Sequence, residues 1–566
     1  MARIIVIVAL IALFATISLR AAEPPLPQAL GPGAVSQQTD QNIQQTADIF
    51  ANNQQKGANI RNSDQQPEAA SGAATLLFSS AVFEGDVLFP ETELQAVIAP
   101  YYDKNLDITT LYKLASVIAA YYRAHDYPVA RAYLPEQEVR DGQVRFVIQA
   151  GKIGKIKLDN QSLTSENLVS RQTRDLHSGA YITTSSLERA GLLLNDLAGV
   201  DGQINLAPGM AENTVDLTIT ATTDPRRWTA FLSVDNYGGK YTGPYELNGA
   251  ASCSGLSNYG DTLSISALGT LGQLYNGGVS YSLPLGGPGA KINAAYNYTQ
   301  YTLGSPFDVM GYTGKSQQAN LGWSQPLIRG TRSNLYWQAG YSFAQNTSVI
   351  AVVNATDTTM VNSVMLGING NFYDNWLDGG YNNWGIELGG GSVAMSGAQP
   401  VTDYLNLGGS FVVGEGNFAR EQYLNSFMNL HVSANGQVCN KNLASSNELL
   451  LSGPYAVRAY AAGDYAVDEG ILASAELRCN VAPWSSNSWM VIPFLDLGAG
   501  LMNQTPYPNQ GLNGISLAGA GLGVQWQDTT RTWYARADYA WQLGDLKSPS
   551  NPDQNGMFLI KVAKYF

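Results

Sequence analysis

The stretch Leu335-Tyr336-Trp337-Gln338-Ala339-Gly340-Tyr341-Ser342-Phe343 decides the fold. Leu335, Trp337, Ala339, Tyr341 and Phe343 alternate with Gln338, Gly340 and Ser342, the period of two that marks a β-strand with unlike faces. The same alternation recurs on both sides of it. Leu263, Ile265 and Ala267 alternate with serines and a threonine. Val279, Tyr281 and Leu283 alternate with Ser280 and Ser282, and Ile292, Ala294, Tyr296 and Tyr298 with Asn293, Asn297 and Thr299. Near the end Trp533, Ala535, Ala537, Tyr539 and Trp541 alternate with Arg536, Asp538 and Gln542. A soluble sandwich would bury the apolar face, so alternation alone does not choose between sandwich and membrane barrel. Three features favour the barrel. The polar face carries isolated mid-strand charges (Glu387, Glu476, Arg478, Arg536, Asp538), as a wet lumen allows. Aromatics gather near strand ends, like interfacial girdles. The last residues, Phe558, Ile560, Val562, Lys564 and Phe566, keep the alternation to an aromatic terminus. Residues 226–566, at roughly 20 residues per strand and connector, make about 16 antiparallel strands. In lipid only closure satisfies every backbone group.

Composition sets the outer limits. The chain has 566 residues, only 14% charged, with 58 Gly and 31 Tyr, which suits a β-rich surface protein better than a cytosolic enzyme. A net charge of −13 argues against nucleic acid, whose phosphates need a basic face. No apolar run after residue 20 approaches the roughly 20 residues of a spanning helix. Residues 1–22 read as a signal peptide: Arg3 in a short n-region, an apolar run Ile4–Leu19, then small residues. An uncleaved anchor is the competing reading. Cys253, Cys439 and Cys479 are an odd count, so at least one is free or paired between chains. A Cys439–Cys479 disulfide is the pairing open within the chain, although the strand reading sets the two near opposite ends of neighbouring strands.

Residues 23–80 have linker composition, rich in Pro, Gln, Asn and Ala. Within Thr39–Lys56, Ile43, Ala47 and Phe50 fall at helical spacing, giving either a short amphipathic helix able to plug a pore or a linker with chance periodicity. Residues 81–150 read as β-α-α-β-β. Val82–Gly85 is a strand, Pro90 opens one helix and Asp107 caps a second, whose stripe is Leu111, Leu114, Ala115, Ile118 and Tyr122. Val129–Leu134 and Gln143–Ala150 close the unit. Residues 151–224 repeat that order, with helices starting near Thr164 and Ser185.

One stretch of the C-terminal half is neither strand nor turn: Gly453-Pro454-Tyr455-Ala456-Val457-Arg458-Ala459-Tyr460. It reads as the tip of a long loop, 441–470, folded back into the barrel. Further on, Val491, Pro493, Leu495, Leu497 and Ala499 form a mostly aliphatic phase that should face lipid. Ile492, Phe494, Asp496 and Gly498 then point inward, since a carboxylate facing lipid is costly. Arg458 either pairs with Asp496 inside the lumen or is a solvated loop residue beside an unpaired lumen charge.

Tandem β-α-α-β-β units followed by a barrel resemble the TpsB transporters of two-partner secretion, in the superfamily of the BamA-type assembly factors. Arg131, Leu134, Pro135, Gln137 and Gly142 look like the R-a-x-L-P-x-Q…G pattern of the family's first POTRA domain. His125-Asp126-Tyr127 departs from it, with Asp126 where a Gly is usual. Ser233–Gly238 resembles the first barrel strand and Ser324–Arg329 another strand end. Gly453, Pro454, Tyr455, Val457, Arg458 and Tyr460 resemble the family's sixth extracellular loop, with Ala459 replacing the Gly of its V-R-G-Y tip. Phe494, Asp496 and Gly498 resemble its F-x-D-x-G wall motif. The resemblance implies that Arg458 and Asp496 form a conformational lock in the lumen. It implies a bacterial outer-membrane protein with its POTRA domains in the periplasm. The partner would be an unfolded secreted exoprotein, TpsA-like and β-helical, recognised through an N-terminal secretion domain. It further implies a monomer in lipid with no cofactor. An assembly factor that inserts other barrels and a passive porin are the rival readings. An enzyme is not expected. His125, His177 and His431 form no H-E-x-x-H, and no G-x-S-x-G or P-loop occurs, so neither catalytic nor metal residues are assigned.

Overall fold

The computed structural model describes residues 29–51, 57–62, 75–397, 403, 405–507 and 510–566. The signal peptide reading, 1–22, lies outside them. Sixteen strands close into one barrel, from Trp228–Asp235 to Gly556–Tyr565, each antiparallel to its neighbours. The seam is an ordinary ladder, with Phe231 opposite Tyr565 and Asp235 opposite Lys561. The faces segregate as the alternation requires. On the first strand Leu232 and Val234 are 48% and 55% exposed, whereas Ser233 and Asp235 are 1% and 3% exposed. Trp337, Tyr341, Leu366 and Leu388 likewise lie on the outer surface. The apolar face is therefore the lipid face, and the polar face lines the lumen. Among the described residues no helix is long and apolar enough to cross a membrane; this chain crosses with strands.

Residues 23–80 are more than a connector. Pro32–Ala51 is a helix of 20 residues, starting upstream of the predicted Thr39, with Pro in the first turn where its missing N–H costs nothing. Ile60–Asn62 is a short strand lying parallel to Val200–Pro208, so it belongs to the second α/β unit. Thr75–Phe78 pairs with Lys104–Asp107 and belongs to the first. Pattern reading passes over such strands because the main chain supplies their bonds and few side chains are needed.

The first unit packs helices Glu91–Ile98 and Ile108–Ala124 against the sheet of Ser80–Gly85, Gln143–Gln149 and Arg131–Tyr133. Asp107 caps the second helix through the Thr110 amide at 2.8 Å. Leu111, Leu114, Ile118 and Tyr122 fill the core with Phe78 and Phe146. The second unit packs Glu166–Gln172 and Thr184–Asn195 against Val200–Pro208, Thr214–Thr223 and Lys152–Gln161. Its helices start at Glu166 and Thr184, after caps Ser165 and Thr183, one or two residues from the predicted starts.

Two aspartates join these units. Asp86 accepts from the Ala150 amide at 3.0 Å, Asn213 at 2.5 Å and the Tyr181 hydroxyl at 3.0 Å, with Lys152 Nζ 3.6 Å away. Burial alone would raise its pKa, but these donors and the lysine charge hold the carboxyl below its usual value. Asp126 takes a left-handed φ of 78°, the conformation a Gly would adopt freely. Its carboxylate repays that strain at the start of the next unit's helix, accepting from the Ser185 amide at 2.9 Å and hydroxyl at 2.6 Å. The second unit in turn sits on the barrel's turns. Asp196 receives both arms of Arg329 at 2.8 Å, Glu188 accepts from the Thr331 hydroxyl at 2.9 Å, and Gln172 accepts from the Gly289 amide at 2.7 Å.

Candidate functional site

The lumen is filled by two elements of the chain itself. One is the loop carrying Gly453–Tyr460, based on the hairpin of Leu449–Leu450 with Ala466–Val467. Gly453, at φ 120°, makes the bend that only glycine takes readily. Val457, Ala459 and Tyr460 are buried with Leu451, Tyr465, Phe494, Ile515 and Leu517. The Tyr460 and Tyr465 hydroxyls donate to the carbonyls of Leu546 and Lys547 at 3.1 and 2.8 Å.

At the tip, Arg458 and Asp496 meet. The guanidinium donates Nε and Nη2 to the two carboxylate oxygens at 2.8 and 2.7 Å, a fork matched to a carboxylate. The Arg458 amide adds a third bond at 3.2 Å, and the Ser474 hydroxyl a fourth to Asp496 at 2.7 Å. The remaining arm, Nη1, reaches Glu476 at 2.7 Å. Phe494 lies beneath, its ring centre 3.5 Å from the guanidinium carbon, a cation–π contact sheltered from water. The pairs continue along the wall. Glu476 also accepts from Arg536 at 2.8 Å and Arg478 at 2.8 Å, and Arg536 pairs with Asp538 at 2.9 Å. Arg478 goes on to Glu421 at 3.1 Å.

The wall is shaped to seat this tip. Gly519 stands opposite Asp496 in the neighbouring strand, and a methyl there would come within 2.8 Å of the Ala459 methyl. A methyl at Gly498 would meet Val457 at 3.0 Å, and one at Gly521 would strike the Phe494 ring at 2.2 Å. Ala459 is not among the residues with positive φ. Its side chain therefore costs no left-handed strain and spends its volume filling the notch at Gly519.

The second element is the helix Pro32–Ala51. It meets the wall through Ser36, Thr39, Asn42 and Thr46, all at most 2% exposed. Thr299 donates to Ser36 at 2.9 Å, Asn276 to Thr39 at 3.1 Å, and Asn42 to Glu246 at 2.5 Å. Phe50 stacks on Tyr565 at 5.1 Å. Ile43, Ala47 and Phe50, the stripe visible in the sequence, make the smaller apolar contacts. Sequence reading missed the polar stripe, which has the same helical spacing but looks like linker composition.

The POTRA motif residues do structural work away from the lumen. Gln137 bonds both the amide and the carbonyl of Arg145, at 2.7 and 2.9 Å, extending the sheet edge as a strand would. Leu134 packs on the first unit's core. Gly142, at φ 72°, sits where a Cβ would lie 2.4 Å from the Leu77 carbonyl. Pro135 follows the exposed edge strand that begins at Arg131. The three cysteines are free. The Cys439–Cys479 disulfide is not formed, because Cys479 faces Met428 at one end of the strand that Cys439 ends at the other. Among the described residues no cluster of three or more His, Cys, Asp and Glu could hold a metal.

A closed barrel of sixteen strands, two α/β units docked on its turns and a lumen filled from within define an outer-membrane transporter. Residues 213–526, more than half the chain, match the haemolysin secretion/activation protein family ShlB/FhaC/HecB, and residues 77–151 match the ShlB-type POTRA domain. The chain belongs to this family of two-partner secretion transporters. The heme/hemopexin transporter protein HuxB of Haemophilus influenzae is 28% identical over 443 residues, covering 77% of this chain and 78% of HuxB. The outer membrane transporter CdiB of Escherichia coli is 26% identical over 276 residues, 46% of this chain and 45% of CdiB. In three dimensions CdiB from E. coli superposes with a TM-score of 0.69 at 18% identity, over 96% of this chain and all of that one. BamA from Haemophilus ducreyi lacking POTRA domains 1–3 gives 0.52 at 16% identity, over 87% of this chain and all of that one. The protein is a translocation pore of the bacterial outer membrane, with its POTRA domains in the periplasm.

Proposed function

We propose that the loop and the helix together close the pore at rest and that an arriving exoprotein displaces them. The observation that carries this is the buried fork of Arg458 on Asp496, a two-armed clamp on an otherwise irregular loop. Breaking one partner of such a pair leaves an uncompensated charge. The clamp therefore holds the loop in one place without contributing to the barrel ladder.

The partner arrives unfolded, presents an N-terminal secretion domain and adds backbone to a POTRA sheet edge. Ile60–Asn62 already occupies the Val200 edge of the second domain. The edges left for docking are Ser80–Gly85 and Arg131–Tyr133 of the first domain and Lys152–Gln161 of the second. The chain carries no nucleotide-binding motif, and folding of a β-helical partner outside the cell gives the export its direction. The transporter works as a monomer in outer-membrane lipid.

Arg458→Ala and Asp496→Ala test the clamp. Both variants should insert as heat-modifiable barrels and secrete the partner at a reduced level. Full secretion by both would refute the role given to the pair.

A further inference from the structure

A second buried node lies at the seam of the barrel, away from Arg458. Lys561, on the last strand, is 1% exposed. Its ammonium donates to Asn42 and, at 2.7 Å, to Thr46 of the helix. It also donates to the Tyr455 hydroxyl of the loop at 2.8 Å. Asp235, its partner across the seam, is 3.4 Å away. Asn42 completes the circle, accepting from the Tyr455 hydroxyl at 3.0 Å and donating to Glu246 at 2.5 Å. The Tyr237 ring covers the ammonium at 4.7 Å and packs edge-on against Tyr455 at 5.6 Å.

A buried ammonium is tolerated only while its donors are satisfied. Here the acceptors come from both movable elements. If the helix leaves, Lys561 loses Asn42 and Thr46 together, and Tyr455 loses the acceptor for its hydroxyl. If the loop leaves, Lys561 loses Tyr455, and Asn42 is left facing the ammonium and two carboxylates with one bond fewer. Departure of either element therefore weakens the seat of the other. The two also meet at a second place, where a Cβ on Gly33 of the helix would lie 2.5 Å from the Ser446 amide of the loop.

From this arrangement we infer that Lys561 is a positioning residue that couples the helix to the loop, so that they leave the pore as one unit. The inference rests on reading the lumen as a closed export path, but its test needs no exported partner. The full-length protein is placed in a planar bilayer and the open fraction of single channels is measured. The variants are Asn42→Ala, Tyr455→Phe, Lys561→Met and the double Asn42→Ala/Tyr455→Phe, each first checked for heat-modifiable migration. Each single variant is expected to raise the open fraction about tenfold, the effect of one lost buried hydrogen bond. The double variant should open no further than the stronger single. An unchanged open fraction, or a double equal to the product of its singles, would overturn the coupling. If Lys561→Met does not fold, the Asn42 and Tyr455 variants decide the question. Variants that open as expected yet secrete a partner at the wild-type level count against the export reading and leave the coupling standing.

Discussion

At the scale of the residue, Ala459 shows how one methyl can be accommodated. A left-handed tip would exclude it, but the tip is not left-handed there, and the methyl faces a wall glycine instead. That predicts a reciprocal pair. Gly519→Ala would place two methyls within 2.8 Å of each other, and the loop, not the barrel ladder, must shift. The variant should remain a heat-modifiable barrel whose loop is cut faster by external protease. Adding Ala459→Gly should restore protection; no rescue would show that the notch does not hold the tip. The Arg458–Asp496 pair was half legible in the sequence, because strand phase turns Asp496 inward. Glu476 was legible only as a lumen charge. Its contact with the third arm of Arg458 depends on register, which places Glu476 opposite Phe494 on the adjacent strand.

At the scale of the element, the helix Pro32–Ala51 reverses the usual rule for amphipathic packing. It sits in a polar lumen, so its hydrogen-bonding stripe makes the longer interface and its apolar stripe the shorter. The junction of the two α/β units offers a pH test. Asp86 has a folded pKa below its unfolded value of about 3.9. Its contribution is therefore complete above that value and lost as pH falls through the lowered folded pKa. Spin labels at the exposed positions Glu136 and Lys157 should report one narrow distance at neutral pH and a broadened one as the pH falls through the lowered folded value. Asp86→Ala should be broad at every pH, with a junction weakened by about 1–3 kcal/mol. A variant as narrow as the wild type at neutral pH would rule out Asp86 as the joint.

At the scale of the whole molecule, the pair of Arg329 with Asp196 ties the POTRA arm to the barrel. It is bidentate and partly buried, with side chains 16% and 27% exposed, so it should outweigh an ordinary surface pair. Arg329→Ala should cost about 1.5–3 kcal/mol of docking. Distances between labels on the barrel and on the second α/β unit should then broaden, and the exchange Arg329→Asp with Asp196→Arg should recover part of the order. An unchanged distribution in Arg329→Ala would place the anchor elsewhere, at Glu188 or Gln172. Ser324–Arg329 resembled a strand end in the sequence, yet nothing there pointed to Asp196, 133 residues earlier. By itself the sequence determined the strands, their lipid and lumen faces, the approximate strand number and the inward turn of Asp496. These follow from periods of two and from costs paid locally. Only the tertiary structure decided which inward groups meet, Glu476 with Arg458 and Lys561 with Asn42 and Tyr455, and that Ile60–Asn62 joins the sheet of the second α/β unit. Closing a barrel brings its last strand against its first, and filling it brings residue 42 against residue 561. Such contacts are set by register and closure, which no local periodicity encodes.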